Sequence, residues 1–351
     1  MKQLLGLRQN DVLGLDIGSS SVRMVQLARK NGSYTVVAAS ISDIEQVGGD
    51  NSVKEANAVK AVQRCLASAR TSTRLAVCSI SGPEVAVRHF KFPPLQPEEI
   101  EGAVRLEVSQ VCPFNADDSV VDYQIIQNGG EDNAANGVLV AATNEVIRRK
   151  INIVEKCSLN CVLMDVDGLA LLNCLSESRK NSGQAINTVA ILDVGASCTT
   201  LAVMGESNLP FVRTVPYAGN DIVAQIAQEN NVSPEVVKKD IYGSTRPTIP
   251  PEDLQPSLEK ACQKLVSDVA ETLRYHSASV KSSTVEQILV CGGFGMVKGF
   301  VDILNRQLPI RTILWNPFDT MRCSIGQQCL DVIQANGPAM AVAAGLAMRT
   351  I

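Results

Sequence analysis

The chain has 351 residues, of which 45% are hydrophobic and 19% charged, with a formal net charge of −4; this provides for about two globular domains and excludes a disordered chain. The acidic balance speaks against a general nucleic-acid binder, which needs a basic face. Eleven cysteines spread over such a length, an opening stretch without a secretory leader, and the lack of any run near ~20 apolar residues predict a soluble protein of the reducing cytoplasm that meets a membrane through a partner or a peripheral surface.

From the N-terminus, Leu4, Leu5 and Leu7 could form an amphipathic docking segment or a frayed end. Val12 to Asp16 and Val22 to Leu27 read as strands flanking Gly18-Ser19-Ser20-Ser21, and Asn31-Gly32 turns the chain into a third strand, Tyr34 to Ile41. Helical spacing of apolar residues follows from Val53 to Ala69, then a strand from Leu75 to Ile80.

A stretch of different texture comes next. Val85 to Phe90 reads as a strand, Pro97-Glu98-Glu99 opens a helix, Val120 to Gln127 and Val138 to Ala142 are strands, and Glu145 to Cys157 is a helix. We take 85–160 as an inserted subdomain. Cys161 to Val166 and Leu169 to Ser178 add a strand and a helix, and Asn181-Ser182-Gly183-Gln184 is a linker.

The opening pattern then returns. Val189 to Asp193 is a strand, Gly195-Ala196-Ser197-Cys198 a turn, and Thr199 to Met204 and Phe211 to Val215 are strands. Helices are predicted near 220–230, 233–241 and 256–280. Ile288 to Val290 is a strand, Gly292-Gly293 a turn, Val297 to Gln307 a helix, and Pro338 to Arg349 a closing helix.

The two openings align without a gap. Asp16 and Asp193 stand at equivalent places, as do Gly18 and Gly195, at an offset of 193 − 16 = 177 residues, about half the chain. Two related halves follow, not a solenoid. A carboxylate ending a buried strand projects into a cleft. The glycine after it lets a ligand approach the backbone, and small hydroxyl residues present donors. Two such turns facing each other form a clamp for phosphates, and the two acids would hold Mg2+ through waters. At Gly292-Gly293 the missing side chains would let a flat base lie against the backbone.

Taken singly, an Asp-x-Gly turn or a Gly-Gly pair is usually only a turn; the matched order carries the signal. Cys157-x-x-x-Cys161 is a poor metal site with only His89 and His276 as imidazoles, so the cysteines read as small core residues. Arg148-Arg149-Lys150 reads as a solvated helix face.

In this order the motifs resemble those of the actin-like ATPase superfamily. Within it Leu13 to Val22, Phe92-Pro93, Glu98 to Glu107, Val111-Cys112-Pro113-Phe114, Asp122-Tyr123-Gln124, Ala218-Gly219-Asn220-Asp221 and Ala343 to Ala347 are similar to the PilM family of type IV pilus assembly, on the FtsA-like branch. The resemblance runs through nearly the whole chain. It implies an α/β, two-lobed actin-like fold (a ribonuclease-H-like duplication) with an FtsA/PilM-type inserted subdomain. The first lobe would be 1–84 with 161–185 and 335–351, the insert 85–160, and the second lobe 186–334 with a helical subdomain at about 220–285.

The resemblance also implies ATP and Mg2+ in the cleft. Gly18, Ser19, Ser20 and Ser21 would face phosphates from one lobe, and Gly195, Ser197 and Thr199 from the other. Asp16 and Asp193 would flank the metal. Gly292, Gly293 and Phe294 would approach the adenosine; Glu271 and Arg274 would either reach base or ribose or form a solvated i,i+3 pair. Val236-Val237-Lys238-Lys239-Asp240 departs from the Ala-Glu-x-x-Lys of relatives, and Cys198 is a poorer donor than a hydroxyl.

The implied partners are the N-terminal tail of PilN, the pilus motor ATPases and other inner-membrane pilus proteins, with a homo-oligomeric ring also weighed. The competing functions are a sugar-type kinase, for which Asp221 would be the base, and an FtsA-like division filament protein. Hydrolysis, if any, would be slow.

Overall fold

The computed structural model describes residues 12–30, 32–45, 50–128, 134–179, 188–205, 209–243, 246–279, 284–324 and 326–350. Leu4, Leu5 and Leu7, Asn31 of the predicted hairpin turn and the predicted linker 181–184 lie outside these residues.

The chain begins with β1 (Val12–Ile17), β2 (Ser21–Lys30) and β3 (Ser33–Asp43), then α1 (Asn51–Ala69) and β4 (Leu75–Ile80). It continues through β5 (Val85–Phe92), α2 (Pro97–Val111), β6 (Ser119–Asn128), β7 (Ala135–Thr143), α3 (Asn144–Lys156), β8 (Asn160–Val166) and α4 (Asp167–Arg179). The second half holds β9 (Val189–Val194), β10 (Thr199–Met204), β11 (Phe211–Val215), α5 (Gly219–Glu229), α6 (Pro234–Ile241) and α7 (Pro251–Ser279). It closes with β12 (Gln287–Cys291), α8 (Phe300–Gln307), β13 (Arg311–Leu314), β14 (Arg322–Cys323), α9 (Gln327–Asn336) and α10 (Ala341–Ala347).

The repeat seen in sequence is a repeat of topology. One sheet runs β14-β3-β2-β1-β4-β8 and another β11-β10-β9-β12-β13. Apart from β14, the two have the same strand order. Each is an antiparallel meander whose first strand then pairs in parallel with one later strand, which pairs in parallel with the next. β1 and β9 are the central strands, apolar along almost their whole length, as a strand covered on both faces must be. A third sheet, β5-β7-β6, is separate. It packs Phe90, Leu139 and Ala141 against Ile100, Val104 and Val108 of α2.

Several elements depart from the sequence expectation. α3, assigned to the insert, buries Ile153 and Val154 in the core of the first sheet. β14 pairs with β3 although it lies in the stretch assigned to the second lobe. α7 starts five residues before Pro256, because Pro251 takes the first helical position, where a missing N–H costs nothing. The helix predicted from Val297 begins at Phe300, after a 3-10 turn at Phe294–Met296 and a left-handed Gly299. The closing helix divides into a 3-10 turn at Gly337–Met340 and α10. α10 returns to the first lobe, where a Cβ on Gly14 would collide with Ala343 O. Arg349 then pairs with the buried Asp165, Nη2 to Oδ1 2.9 Å.

Candidate functional site

The two matched turns close alike. Gly18 N donates to Ser21 O at 3.0 Å, and Gly195 N to Cys198 O at 3.1 Å, the same pair of positions in each repeat. Both turns face one cleft, and the lobes touch across it, Ser81 Oγ to Cys198 Sγ at 3.9 Å. The second turn is braced by α5, since Asn220 N donates to Ala196 O at 2.8 Å.

Asp16 and Asp193 end β1 and β9 as the sequence predicts, and their carboxylates belong to one electrostatic cluster. Its cation is Arg23, which stands directly across the β1–β2 ladder from Asp16. Arg23 Nη1 donates to Asp16 Oδ2 at 2.8 Å, and a Cβ on Gly293 of the second lobe would lie 3.5 Å from Nη2. The matched position in the other repeat, opposite Asp193, is Thr200, so the arginine is a property of one lobe only.

A third acid, Asp167 at the start of α4, completes the cluster. Burial, then Asp16, push its carboxyl up, against the opposing effect of Ser79, Ser81 and Lys150. Burial, then Asp167, push Asp193 up to about 7, against Arg23. Burial works against the charge of Arg23, yet Asp16, Asp193 and Asp167 together hold it above its ordinary value. Lys150 of α3 donates its Nζ to Ile17 O, so it is a cleft residue and not part of a solvated face; Arg149 beside it pairs with Glu84 at 3.1 Å.

The buried Arg23 Nε reaches no hydrogen-bond partner. An orphan donor of this kind, beside a backbone turn that no side chain obstructs, is what an anionic oxygen-rich ligand satisfies. Gly292 shows the same provision. Its φ is +87°, and a Cβ would collide with Asp193 Oδ1, so only glycine fits. Among the described residues no group of three or more His, Cys, Asp or Glu side chains could hold a metal directly. A hydrated Mg2+ held through its waters is what this donor set fits.

The remaining predicted residues divide. Ser19 and Ser197 are exposed at the turn tips, Ser20 is half-buried and Ser21 buried. Thr199 corrects the expectation: it is fully buried and its hydroxyl donates to Tyr217 O at 2.8 Å, inside the second lobe. Phe294 is also a core residue, 1% exposed and edge-on to Phe300 at 5.2 Å; at that turn the backbone alone can approach a ligand.

Glu271 and Arg274 both lie on α7, three residues apart. Both residues are exposed, as on a solvated face. Asp221, the base of the kinase reading, instead accepts from Ala218 N at 2.9 Å as the cap of α5.

Arg23, Asp167 and Lys150 were missed. Arg23 had a signal: across a four-residue turn, the residue seven after Asp16 is its cross-strand partner. Asp167 had a weaker one, an Asp-Gly after an apolar strand. Nothing local marks Lys150.

A second concavity, of about 240 Å3, opens where the separate three-stranded sheet meets both lobes, with Val85, Arg88, Pro113, Val166, Val212 and Arg213 in its walls. Among the described residues no helix is long and apolar enough to cross a membrane.

The family model for type IV pilus assembly protein PilM matches residues 14–351. The cell division proteins FtsA of Pseudomonas aeruginosa and Escherichia coli K12 are 25% and 24% identical, over 62% of this chain and 56% of each relative. The chain thus spans little more than half the length of those relatives. Among solved structures, a PilM-PilN type IV pilus biogenesis complex superposes with a TM-score of 0.81 at 22% identity, covering 97% of this chain and 99% of that one. The ethanolamine utilization protein EutJ of Carboxydothermus hydrogenoformans gives 0.53 at 14%, covering 96% and 88%. The fold is actin-like.

Proposed function

The chain belongs to the PilM family of type IV pilus assembly proteins, and on that footing we propose that it is an ATP-binding adaptor holding the N-terminal tail of PilN. The observation that carries the nucleotide half is the cluster of Asp16, Asp167, Asp193 and Arg23 between two turns with the same backbone closure. Gly18, Ser19, Ser20 and Arg23 would hold phosphates from the first lobe, and Gly195 and Ser197 from the second. Gly292 and Gly293 would leave room for the adenosine. Asp16 and Asp193 would hold the waters of Mg2+. Bound there, Mg2+ supplies positive charge that offsets phosphate repulsion and the excess acid of the cleft.

Ligation from both lobes favours the closed cleft, and a partner surface that differs between open and closed states is thereby coupled to the nucleotide. The cavity shared by the inserted sheet and both lobes is the place we assign to the tail, because closure changes its walls. The adaptor would work in the cytoplasm, reaching the inner membrane and the pilus motor ATPases through PilN, with at most slow hydrolysis. A ring of copies is part of the same proposal. The kinase reading loses its base to the cap of α5, and family membership outweighs the division-filament reading.

The test is calorimetry of the full chain with Mg-ATP, followed by pull-down with a synthetic PilN-type tail with and without nucleotide. Micromolar binding that Asp16→Ala weakens at least about tenfold, about 1.4 kcal/mol, is expected. No heat and no thermal shift at millimolar nucleotide would overturn the cleft assignment. Tail capture insensitive to nucleotide would overturn the coupling.

A further inference from the structure

The chain contains two histidines, and the fold brings both to one seam. His89, on β5 of the inserted sheet, sets Nε2 2.7 Å from Pro210 O, on the segment entering β11 of the second lobe. The contact is a hydrogen bond in the tautomer that carries the proton on Nε2. His276, near the end of α7, is 3% exposed and lies edge-on to Phe211, ring centroids 5.1 Å apart. Its Nδ1 is buried and reaches no hydrogen-bond partner. The start of β11 is therefore held between two imidazoles, one from the insert and one from the second lobe.

We propose that this imidazole pair is a protonation-sensitive latch that sets how firmly the inserted sheet is held on the second lobe, and through it the affinity of the adjoining cavity for a peptide tail. The last clause rests on the assignment of that cavity to the partner. Arg88 and Val212, in its walls, are sequence neighbours of His89 and Phe211, so the same two strands form the seam and the cavity. No carboxylate is among the cavity's wall residues.

The charges around the seam decide its direction. β5 carries Arg88 and Lys91, β11 carries Arg213 over the Tyr275 ring, and α7 carries Glu271, Arg274 and Tyr275. β7, paired with β5, bears no ionisable side chain. Tyr217, just before α5, and Arg306 of α8 meet the earlier part of α7, at Ala261 and at Glu259. Burial, then His89, hold His276 below its ordinary value. A second proton on His276 would add a buried cation facing His89, and among the described residues no carboxylate acts on it. The neutral His276 is therefore the folded form. Its stabilisation is full above the unfolded value of 6.5 and is lost progressively as pH falls below it.

The test compares the wild-type full chain with His89→Gln, which keeps an N–H donor without a titratable charge, and with the His89→Gln/His276→Phe double variant. Two readouts are taken at about pH 8 and about pH 6, tail affinity by calorimetry and amide protection of β5 and β11 corrected for intrinsic exchange. In the wild type, affinity should fall about fivefold and protection should drop on acidification. In the double variant both should change less than about twofold. If His276→Phe fails to fold, His89→Gln alone should lose a clear part of the response. A variant response equal to wild type, or a wild-type seam indifferent to pH, overturns the latch. If the tail binds at no pH, the partner assignment fails and protection alone judges the latch.

Discussion

Arg23 Nη1 lies 2.8 Å from Asp16 Oδ2, across the first hairpin, while Nη2 of the same guanidinium lies where a Cβ on Gly293 of the opposite lobe would meet it at 3.5 Å. One buried cation thus neutralises a carboxylate of its own lobe and stands against the backbone of the other. Breaking a buried pair by removing one partner costs about 3–5 kcal/mol, because the remaining charge has no compensation. Arg23→Ala should lower the melting temperature strongly and weaken triphosphate binding. Arg23→Lys should recover part of both. Thermal unfolding with and without Mg-ATP measures the two effects together.

Asp193 gives the nucleotide-free protein a distinct pH dependence. Its carboxyl is pushed up from 3.8 to about 7, so between these values the folded state binds more protons than the unfolded one. Stability from this group therefore falls as pH rises through that window and levels off above it, with a slope of up to about 1.4 kcal/mol per pH unit. Asp193→Asn should abolish the slope. Denaturant midpoints from about pH 5 to pH 8 would show it, and an unchanged slope in the variant would refute the assignment.

The Ser81–Cys198 contact at 3.9 Å spans the cleft. Burial, then Asp167, push the Cys198 thiol up to about 11, so it should react slowly while the cleft is closed. Oxidised Ser81→Cys should link to Cys198 and slow nucleotide exchange at least about tenfold, reversibly with a reductant, on the geometric ground that neighbouring thiols bridge. Peptide mapping identifies the bridge, and stopped-flow exchange reads the effect.

Glu271 and Arg274 supply a negative test. Substituting both by alanine should change nucleotide affinity less than about twofold, as for exposed residues of a solvated helix face. A tenfold loss would return them to the cleft.

Gly14 tests the packing of the chain's end. A methyl group there would meet Ala343 O, backbone of a buried helix. Gly14→Ala should destabilise by about 1–3 kcal/mol or more, since α10 must shift for it to fit. Chemical denaturation would measure this, and local loosening should appear in α10 and β1 first.

The sequence alone determined the duplication, the two acids and the glycines after them. An apolar strand, a carboxylate and a small-residue turn are local patterns, and their recurrence 177 residues apart needs no coordinates. It also placed the opening strands and most helices, whose periodicity is their own signal. Tertiary structure decided which side chains meet. Thr199 and Phe294 look available in a motif, but strand and turn geometry point them into the second lobe's core. Lys150 looks like part of a charged face, yet the packing of α3 against the first sheet aims it at Ile17 O. His89 and His276 stand 187 residues apart, and only the docking of an inserted sheet on the other lobe brings them to the same strand. Local pattern fixes what a residue can offer; long-range packing fixes what it faces.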